Sequence, residues 1–153
     1  MSTWPSFEEL WENYPNYRDW DSNTEIQRLC KLQTDLYGTN TCAIRLSHAL
    51  IKAGHDLDDL KEGEFNWSGT HNCEGDKYII GAATMRCYLE SRKGPASLIS
   101  KDQTKYRGKK GIIIFEGTCG LRGATGHVDL WDGNRCAGSE HFNESKYIRL
   151  YEF

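Results

Sequence analysis

The sequence has no run of about 18 apolar residues, so we expect no segment of it to span a membrane. Its first residues, Met1 to Trp11, have neither the basic region nor the apolar core of a secretory signal peptide. We therefore expect that the chain does not use the general secretion route. An excess of one charge is also missing, because 19 basic and 22 acidic residues leave a net charge of −3. Nucleic acid is consequently not an expected partner.

The sequence also has little that would hold a metal ion. His55, His71, Cys73 and His141 are scattered along the chain, and no CxxC or HxxxH spacing connects them. We predict no metal site and no cofactor.

The chain does have the length and composition of one globular domain. Its 153 residues are 38% hydrophobic and 27% charged, enough to bury a core, and no internal repeat divides them. We expect residues 1–153 to form a single domain. Helical patterns come first and strand patterns follow, which predicts an α+β fold with N-terminal helices packed on a C-terminal antiparallel sheet. The helices are predicted at 6–14, 23–33, 41–53 and 77–92, and the strands at 111–115, 126–131, from 135 onward and 147–153.

Six cysteines are more than most cytosolic domains of this size carry. Cys119 and Cys136 lie near the ends of neighbouring predicted strands and are the best candidates for a disulfide. The alternative, which we weigh equally, is that the cysteines other than Cys42 are small buried apolar side chains. Disulfides without a signal peptide would require another route into an oxidising compartment.

Cys42 is predicted at the start of a helix, directly after a turn that contains Gly38. The partial positive charge at a helix N-terminus favours a thiolate, and the backbone N–H of Cys42 could face a developing oxyanion. The residue lies beside the helix cap and off the apolar stripe of Leu46 and Leu50. This position favours a reactive thiol over a buried core cysteine.

His127 begins a predicted strand just after a glycine. A thiol and an imidazole are the two groups that cysteine-dependent acyl transfer needs, and a fold can bring them together from distant positions. Strand alternation places His127 and Asp129 on the same face. Asp129 could therefore hold the imidazole in one tautomer, as the third member of a catalytic triad does, or could equally be a solvated carboxylate.

Three blocks of the sequence, in this order, resemble the fourth family of type VI secretion amidase effectors. They are Asn40-Thr41-Cys42-Ala43-Ile44-Arg45-Leu46-Ser47, Gly108 to Phe115 and Gly126 to Gly133, and the similarity begins at the N-terminal Pro-Ser-Phe-Glu-Glu-Leu-Trp. The resemblance implies an NlpC-type, papain-like fold. It also implies hydrolysis of the bond between D-glutamate and meso-diaminopimelate in peptidoglycan stem peptides, with Cys42 as nucleophile and His127 as general base and acid.

The resemblance further implies a place of action and a partner. Such effectors are made in the bacterial cytoplasm, are injected by a type VI secretion apparatus into the periplasm of a rival bacterium, and lyse it. The producing cell is expected to carry a periplasmic immunity protein that plugs the active-site groove. Delivery to the periplasm would explain cysteines that are compatible with disulfides in a chain without a signal peptide.

One position departs from the family pattern. Members commonly place the third catalytic residue, an Asp, eleven positions after the histidine, and here that position is Gly138. If the residues at 133 and 134 form a two-residue hairpin turn, Asp132 pairs with Arg135 and Asp129 lies opposite Gly138. We therefore predict that the carboxylate has moved across the hairpin.

On this interpretation Asp129 orients His127. Ser139 and Glu140 are the alternatives, because a hairpin shifted by one or two residues would bring either of them near the imidazole.

Two other functions remain open at this point. The chain could be a non-catalytic module that binds the cell wall or a partner through its five Trp and eight Tyr residues. It could also be a papain-like acyltransferase, which would share the Cys and His machinery and differ only in the acceptor of the acyl group.

Overall fold

A four-stranded antiparallel sheet with helices on one face forms the centre of the fold. The structure is a computed structural model and describes residues 3–20, 41–61, 70–73, 76–117 and 126–153. The helices in these ranges are α1 (Phe7–Glu12), α2 (Cys42–Lys52) and α3 (Ala82–Arg92), together with a 3-10 turn at Gln103–Tyr106. The strands are β1 (Thr70–Cys73), β2 (Asp76–Ile79), β3 (Leu98–Ile99), β4 (Gly111–Glu116), β5 (Gly126–Trp131) and β6 (Tyr147–Glu152). The predicted α+β class, with helices packed on a C-terminal antiparallel sheet, is confirmed.

The strand order of the main sheet is β3-β6-β4-β5, and β1 and β2 form a separate two-stranded antiparallel sheet. Because β4 pairs with β5, Phe115 lies opposite His127 and Ile113 lies opposite Asp129. The strand β5 is an edge strand of this sheet, and it also packs against α2. This arrangement places α2 beside the strand that carries His127.

Apolar residues cover both faces of the sheet. On the helical face, alternate residues of the strands pack with α1, α2 and α3 into one core; these strand residues are Ile112, Ile114, Val128, Leu130 and Tyr151. On the other face a second, smaller core contains Tyr106, Ile113, Phe115, Trp131, Cys136, Phe142, Ile148 and Leu150. A strand with both faces covered is expected to be apolar throughout, as the run Ile112 to Phe115 is.

The helix α1 has a complete capping box. The backbone N–H of Glu9 donates to the Ser6 hydroxyl at 3.2 Å, and the Ser6 N–H donates to the Glu9 carboxylate at 3.2 Å. Phe7 and Leu10 are its buried residues. None of the helices in the described parts of the chain is long and apolar enough to cross a membrane.

Two predicted elements differ from the structure, and one cannot be compared. The helix predicted over 77–92 begins only at Ala82, because Tyr78 and Ile79, which favour strands, pair in β2 and Gly81 in an extended conformation caps the helix. The return strand expected from Arg135 is reduced to one bridge, between Trp131 and Cys136. The helix predicted over 23–33 lies outside the described residues.

The buried hydroxyl of Ser47 connects α2 to β2. Ser47, which is fully buried, donates to the Ile79 carbonyl at 2.9 Å and accepts from the Ile79 N–H at 3.0 Å. Replacing Ser47 with Ala leaves both backbone groups of Ile79 without this partner, so we expect the free energy of unfolding to fall by about 1–3 kcal/mol. Urea denaturation followed by circular dichroism measures the change.

The matched control for Ser47→Ala is Ser91→Ala, at an exposed position near the end of α3. Its effect should stay within about 0.5 kcal/mol. Equal losses of stability in the two variants would contradict the role assigned to the buried hydroxyl.

Candidate active site

Cys42 is the first residue of α2, and its thiol meets the imidazole of His127. The two side chains are hydrogen-bonded, and both residues are buried. Thr41 precedes Cys42 as the N-cap residue and makes no side-chain capping hydrogen bond. The first N–H groups of a helix have no partner within the helix, and they give its N-terminus a partial positive charge. The thiol therefore lies where a negative charge on sulfur is favoured.

The other side of the His127 ring faces Asp129. The Nε2 nitrogen lies 2.7 Å from Asp129 Oδ2, and the Asp129 side chain is fully buried. Because Nε2 is engaged by the carboxylate, Nδ1 is the ring nitrogen left for the Cys42 thiol. The tautomer with a proton on Nε2 suits this geometry, since a carboxylate can only accept.

Backbone groups hold the Asp129 carboxylate in place. The Leu130 N–H donates to Oδ1 at 2.8 Å, and the Ser139 N–H donates to Oδ2 at 2.9 Å. The Gly138 N–H is shared between the two oxygens, at 2.9 and 3.1 Å. A carboxylate with this many donors cannot rotate freely.

The hairpin after β5 has the register predicted from the sequence. The Asp132 N–H donates to the Arg135 carbonyl at 3.0 Å, and the Ala137 N–H donates to the Leu130 carbonyl at 2.9 Å. Gly138 consequently lies opposite Asp129. The predicted opposition of these two positions is confirmed.

Gly138 has no room for a side chain. A Cβ atom there would lie 2.5 Å from Asp129 Oδ2 and 2.7 Å from the Cε2 atom of Tyr17. Contacts this short do not occur at real Cβ atoms, so a residue larger than glycine would displace the carboxylate or the ring. The space that an Asp at 138 would need is already filled by Asp129 from across the hairpin.

The two alternatives to Asp129 are engaged elsewhere. The Ser139 hydroxyl lies 3.0 Å from Nε2 of His141, and only the Ser139 backbone N–H contacts Asp129. Glu140 accepts a hydrogen bond from the Cys136 N–H at 3.3 Å. Among the described residues, Asp129 is the one that brings a carboxylate to the His127 ring.

Cys136 carries a free, buried thiol in the second core, and burial raises its pKa. This finding is contrary to the expectation that Cys136 pairs with Cys119, and it agrees with the alternative of a small buried apolar side chain. Cys119 lies outside the described residues.

The pKa of His127 is raised to about 9. Burial of the ring acts in the opposite direction, but the hydrogen bonds with Asp129 and Cys42 and the negative charges of these two partners outweigh it. The imidazolium is therefore the favoured form at neutral pH. An imidazolium beside a thiolate is the pairing that cysteine hydrolases use.

Three further side chains at the site were missed by sequence reasoning. Tyr17 lies with its ring centroid 6.5 Å from that of His127, and His141 lies at 4.9 Å on an edge of the same ring. Arg45 is fully buried one turn into α2. Only Arg45 had a signal in the sequence, because a cation within an apolar helix needs buried partners.

The site combines a cysteine at the start of a helix with a histidine on an antiparallel sheet. One ring nitrogen of the histidine is hydrogen-bonded to the cysteine, and the other contacts a carboxylate. This combination defines a papain-like cysteine hydrolase of the NlpC type. The family model that matches residues 38–151 is that of type VI secretion system amidase effector protein 4, Tae4. The chain belongs to this family. It is an antibacterial amidase effector that hydrolyses peptidoglycan.

Solved structures are similar over the whole chain. Tae4 from Salmonella Typhimurium, in the type VI effector–immunity complex Tae4–Tai4, has 27% identity and a TM-score of 0.76, with 99% of each chain covered. Tae4 from Enterobacter cloacae has 25% identity and a TM-score of 0.76 over 99% of this chain and 98% of that chain. No curated protein matches the sequence.

The His127 pKa can be tested by NMR titration of the histidine rings. We expect His127 to titrate near 9, and the Asp129→Asn substitution to lower its pKa by about 1–3 pH units, because the charge that favours the imidazolium is lost. His48 is the internal control. Burial, assisted by Lys52, lowers its pKa to about 4, and Asp129→Asn should leave it unchanged.

The same shift predicts how stability depends on pH. The folded-state pKa of His127 lies above its ordinary value of 6.5, so its charged form stabilises the fold below about pH 6.5 and this contribution is lost as the pH rises through 9. The decline should be smaller in Asp129→Asn than in the wild type. Identical declines would show that Asp129 does not hold the imidazolium.

Proposed function

We propose that this chain cleaves the amide bond between D-glutamate and meso-diaminopimelate in peptidoglycan stem peptides, with Cys42 as nucleophile and His127 as general base and acid. Asp129 orients the imidazole. The observation that carries the proposal is the continuous chain of hydrogen bonds that begins at Cys42, at the start of α2, and runs through His127 to Asp129. Cys42 and His127 are at the first two catalytic positions that the family resemblance implies.

In the proposed reaction the Cys42 sulfur adds to the carbonyl carbon of the D-glutamyl group, and the proton of the thiol resides on His127. The imidazolium gives this proton to the amine of meso-diaminopimelate as the C–N bond breaks, leaving a thioester. Water then attacks the thioester carbonyl, with His127 taking its proton and returning it to sulfur. The net change is hydrolysis, and no electron carrier or metal takes part in any step.

Asp129 acts through His127 and does not touch the substrate. It fixes the proton on Nε2 and turns Nδ1 toward the thiol, and its charge stabilises the imidazolium during each step. The proposal places the carboxylate on β5, whereas family members commonly carry it eleven positions after the histidine.

We further propose that the chain is made in the bacterial cytoplasm and acts in the periplasm of a target cell after delivery by a type VI secretion apparatus. The Tae4 proteins solved together with Tai4 support a matching immunity protein in the producing cell. Such a protein would bind over the groove that contains Cys42.

The nucleophile is tested with purified sacculi. Cys42→Ala should abolish release of fragments cut between D-glutamate and meso-diaminopimelate, because the variant lacks the thiol that forms the thioester. Mass spectrometry of the soluble fragments gives the cleavage site, and thermal unfolding checks that the variant is folded.

Cys87→Ala is the matched control for Cys42→Ala, since Cys87 is a free, partly exposed thiol on α3. It should cleave as the wild type does. Cleavage by Cys42→Ala would refute the assignment of the nucleophile. Intact sacculi with the wild type itself would favour a non-catalytic binding module.

The position of the carboxylate is tested by moving it back. Asp129→Gly should lower kcat by about 10²–10⁴-fold, because the imidazole loses its orienting partner. Gly138→Asp alone should also lower activity, since its side chain collides with the Asp129 carboxylate. The double variant carries one carboxylate at the common family position.

We expect the double variant Asp129→Gly, Gly138→Asp to recover part of the activity that each single change removes. Steady-state kinetics on a soluble stem tetrapeptide measure the recovery. If the loss of kcat in the double variant equals the product of the losses in the two single variants, an exchange of the carboxylate across the hairpin is contradicted.

A further inference from the structure

His141 lies against the catalytic imidazole without taking part in its two hydrogen bonds. The ring centroids of His141 and His127 are 4.9 Å apart, and the planes of the two rings are at 66°. Both ring nitrogens of His127 are already engaged, by Cys42 and Asp129. His141 can therefore influence the imidazole through the groups around it, and not by a hydrogen bond of its own.

The backbone at His141 is held in a fixed position. Its carbonyl accepts a hydrogen bond from the Ser145 hydroxyl at 2.5 Å. The next residue, Phe142, is buried in the second core, where its ring contacts those of Phe115 and Trp131. His141 is therefore a rigid point beside the hairpin that follows β5.

The backbone that binds the Asp129 carboxylate is less firmly tied to the sheet. Among the described residues, the last backbone hydrogen bond from this segment to β5 runs from the Ala137 N–H to the Leu130 carbonyl, at 2.9 Å. Beyond it, the N–H groups of Gly138 and Ser139 donate to the Asp129 side chain. Because glycine has the widest choice of backbone conformations, the direction of these two donors needs a further restraint.

The Ser139 side chain supplies this restraint. Its hydroxyl lies 3.0 Å from Nε2 of His141, while its backbone N–H donates to Asp129 Oδ2 at 2.9 Å. One residue thus connects the rigid point at His141 to the carboxylate that contacts the catalytic imidazole. The order of contacts is His141, Ser139, Asp129, His127 and Cys42.

The protonation state of His141 suits its contact with Ser139. Burial and the nearby His127 lower the pKa of His141, and the charges of Glu144 and Asp129, which raise it, do not outweigh them. The ring is therefore neutral at neutral pH and carries one proton. Glu144 Oε1 lies 3.7 Å from Nδ1 and favours the proton there, because a carboxylate can only accept. The Nε2 nitrogen is then the acceptor for the Ser139 hydroxyl.

The stability of the fold does not explain a histidine at this position. Its Nδ1 atom is buried, and no described residue gives it a hydrogen bond, since the distance of 3.7 Å to Glu144 is too long for one. A buried polar atom without a hydrogen bond costs free energy that an apolar side chain would not cost. The contact with Ser139 is what the polar ring provides in return.

We propose that His141 is a positioning residue of the amidase reaction. Through the Ser139 hydroxyl it holds the two N–H groups that bind the Asp129 carboxylate, and it thereby keeps the imidazole of His127 aligned with Cys42. The inference rests on the proposed function of Cys42, His127 and Asp129, and it names a residue that supports their alignment.

The test compares two amides at position 141. His141→Gln places its amide near the position of Nε2 and can keep the bond to Ser139, whereas His141→Asn is one methylene shorter and reaches only the position of Nδ1. On a soluble stem tetrapeptide we expect His141→Asn to lower kcat by about 10-fold with KM little changed, because a small misplacement of a catalytic group slows the reaction. His141→Gln should keep most of the wild-type kcat.

NMR titration gives a second readout that does not depend on activity. We expect His141→Asn to lower the pKa of His127 by about 0.5–1 pH unit, because the carboxylate that favours the imidazolium is held less firmly. His141→Gln should leave this pKa at about 9, as in the wild type. Thermal unfolding checks that both variants are folded.

The connection itself is tested with Ser139→Ala, which should not disturb folding because Ser139 is exposed. It should lower kcat about as much as His141→Asn does. The double variant should lose no more than either single variant, since both changes break the same contact. Asn143→Ala, at an exposed position of the same segment, is the matched control and should leave kcat and KM unchanged.

Three results would overturn the inference. They are equal kcat values in His141→Gln and His141→Asn, an effect on KM alone, or losses in Ser139→Ala and His141→Asn that multiply in the double variant. Each of them leaves Cys42 as the nucleophile. Intact substrate in the wild-type reaction would instead refute the proposed function.

Discussion

The buried carboxylate of Asp129 is the constraint on which the site depends. An unpaired carboxylate in this position would cost several kcal/mol, so its burial requires charged or hydrogen-bonding partners. Three backbone N–H groups and the His127 ring supply them. Two of the three N–H groups, those of Gly138 and Ser139, come from the segment that returns after the hairpin turn. The hairpin therefore closes in one register, and the same closure fixes the imidazole toward Cys42.

This constraint also explains the glycine at 138. Positions 129 and 138 face each other across the hairpin, and the space between them holds one carboxylate. A chain that carries the acid at one position needs a residue without a side chain at the other. On the proposed assignment of Asp129, the departure from the common family pattern is a pair of linked changes, Asp at 129 and Gly at 138.

How much could be predicted depended on the range of the interactions involved. The opposition of Asp129 and Gly138 followed from a two-residue turn, and the start of the helix at Cys42 followed from local turn and cap residues. The strand at Tyr78 and Ile79 was missed, because it depends on pairing with residues 70–73. The sequence of those residues does not by itself predict a strand. Tyr17 was also missed, since its place at the site is set by contacts with a helix far along the chain.

Arg45 connects these local and distant elements. A buried cation in an otherwise apolar helix is unfavourable unless it is fully engaged, and here backbone carbonyls, the Thr41 hydroxyl and an aromatic ring engage it. Cys42 and Arg45 are three residues apart, so one turn of α2 carries both the thiol and the group that fixes the segment above it. Catalytic groups must be held within fractions of an ångström, and a rigid helical turn with a planar guanidinium achieves this where a mobile loop alone would not. The buried charge of Arg45 is thus explained by its contacts with the segment that contains Tyr17, and not by packing in the apolar core.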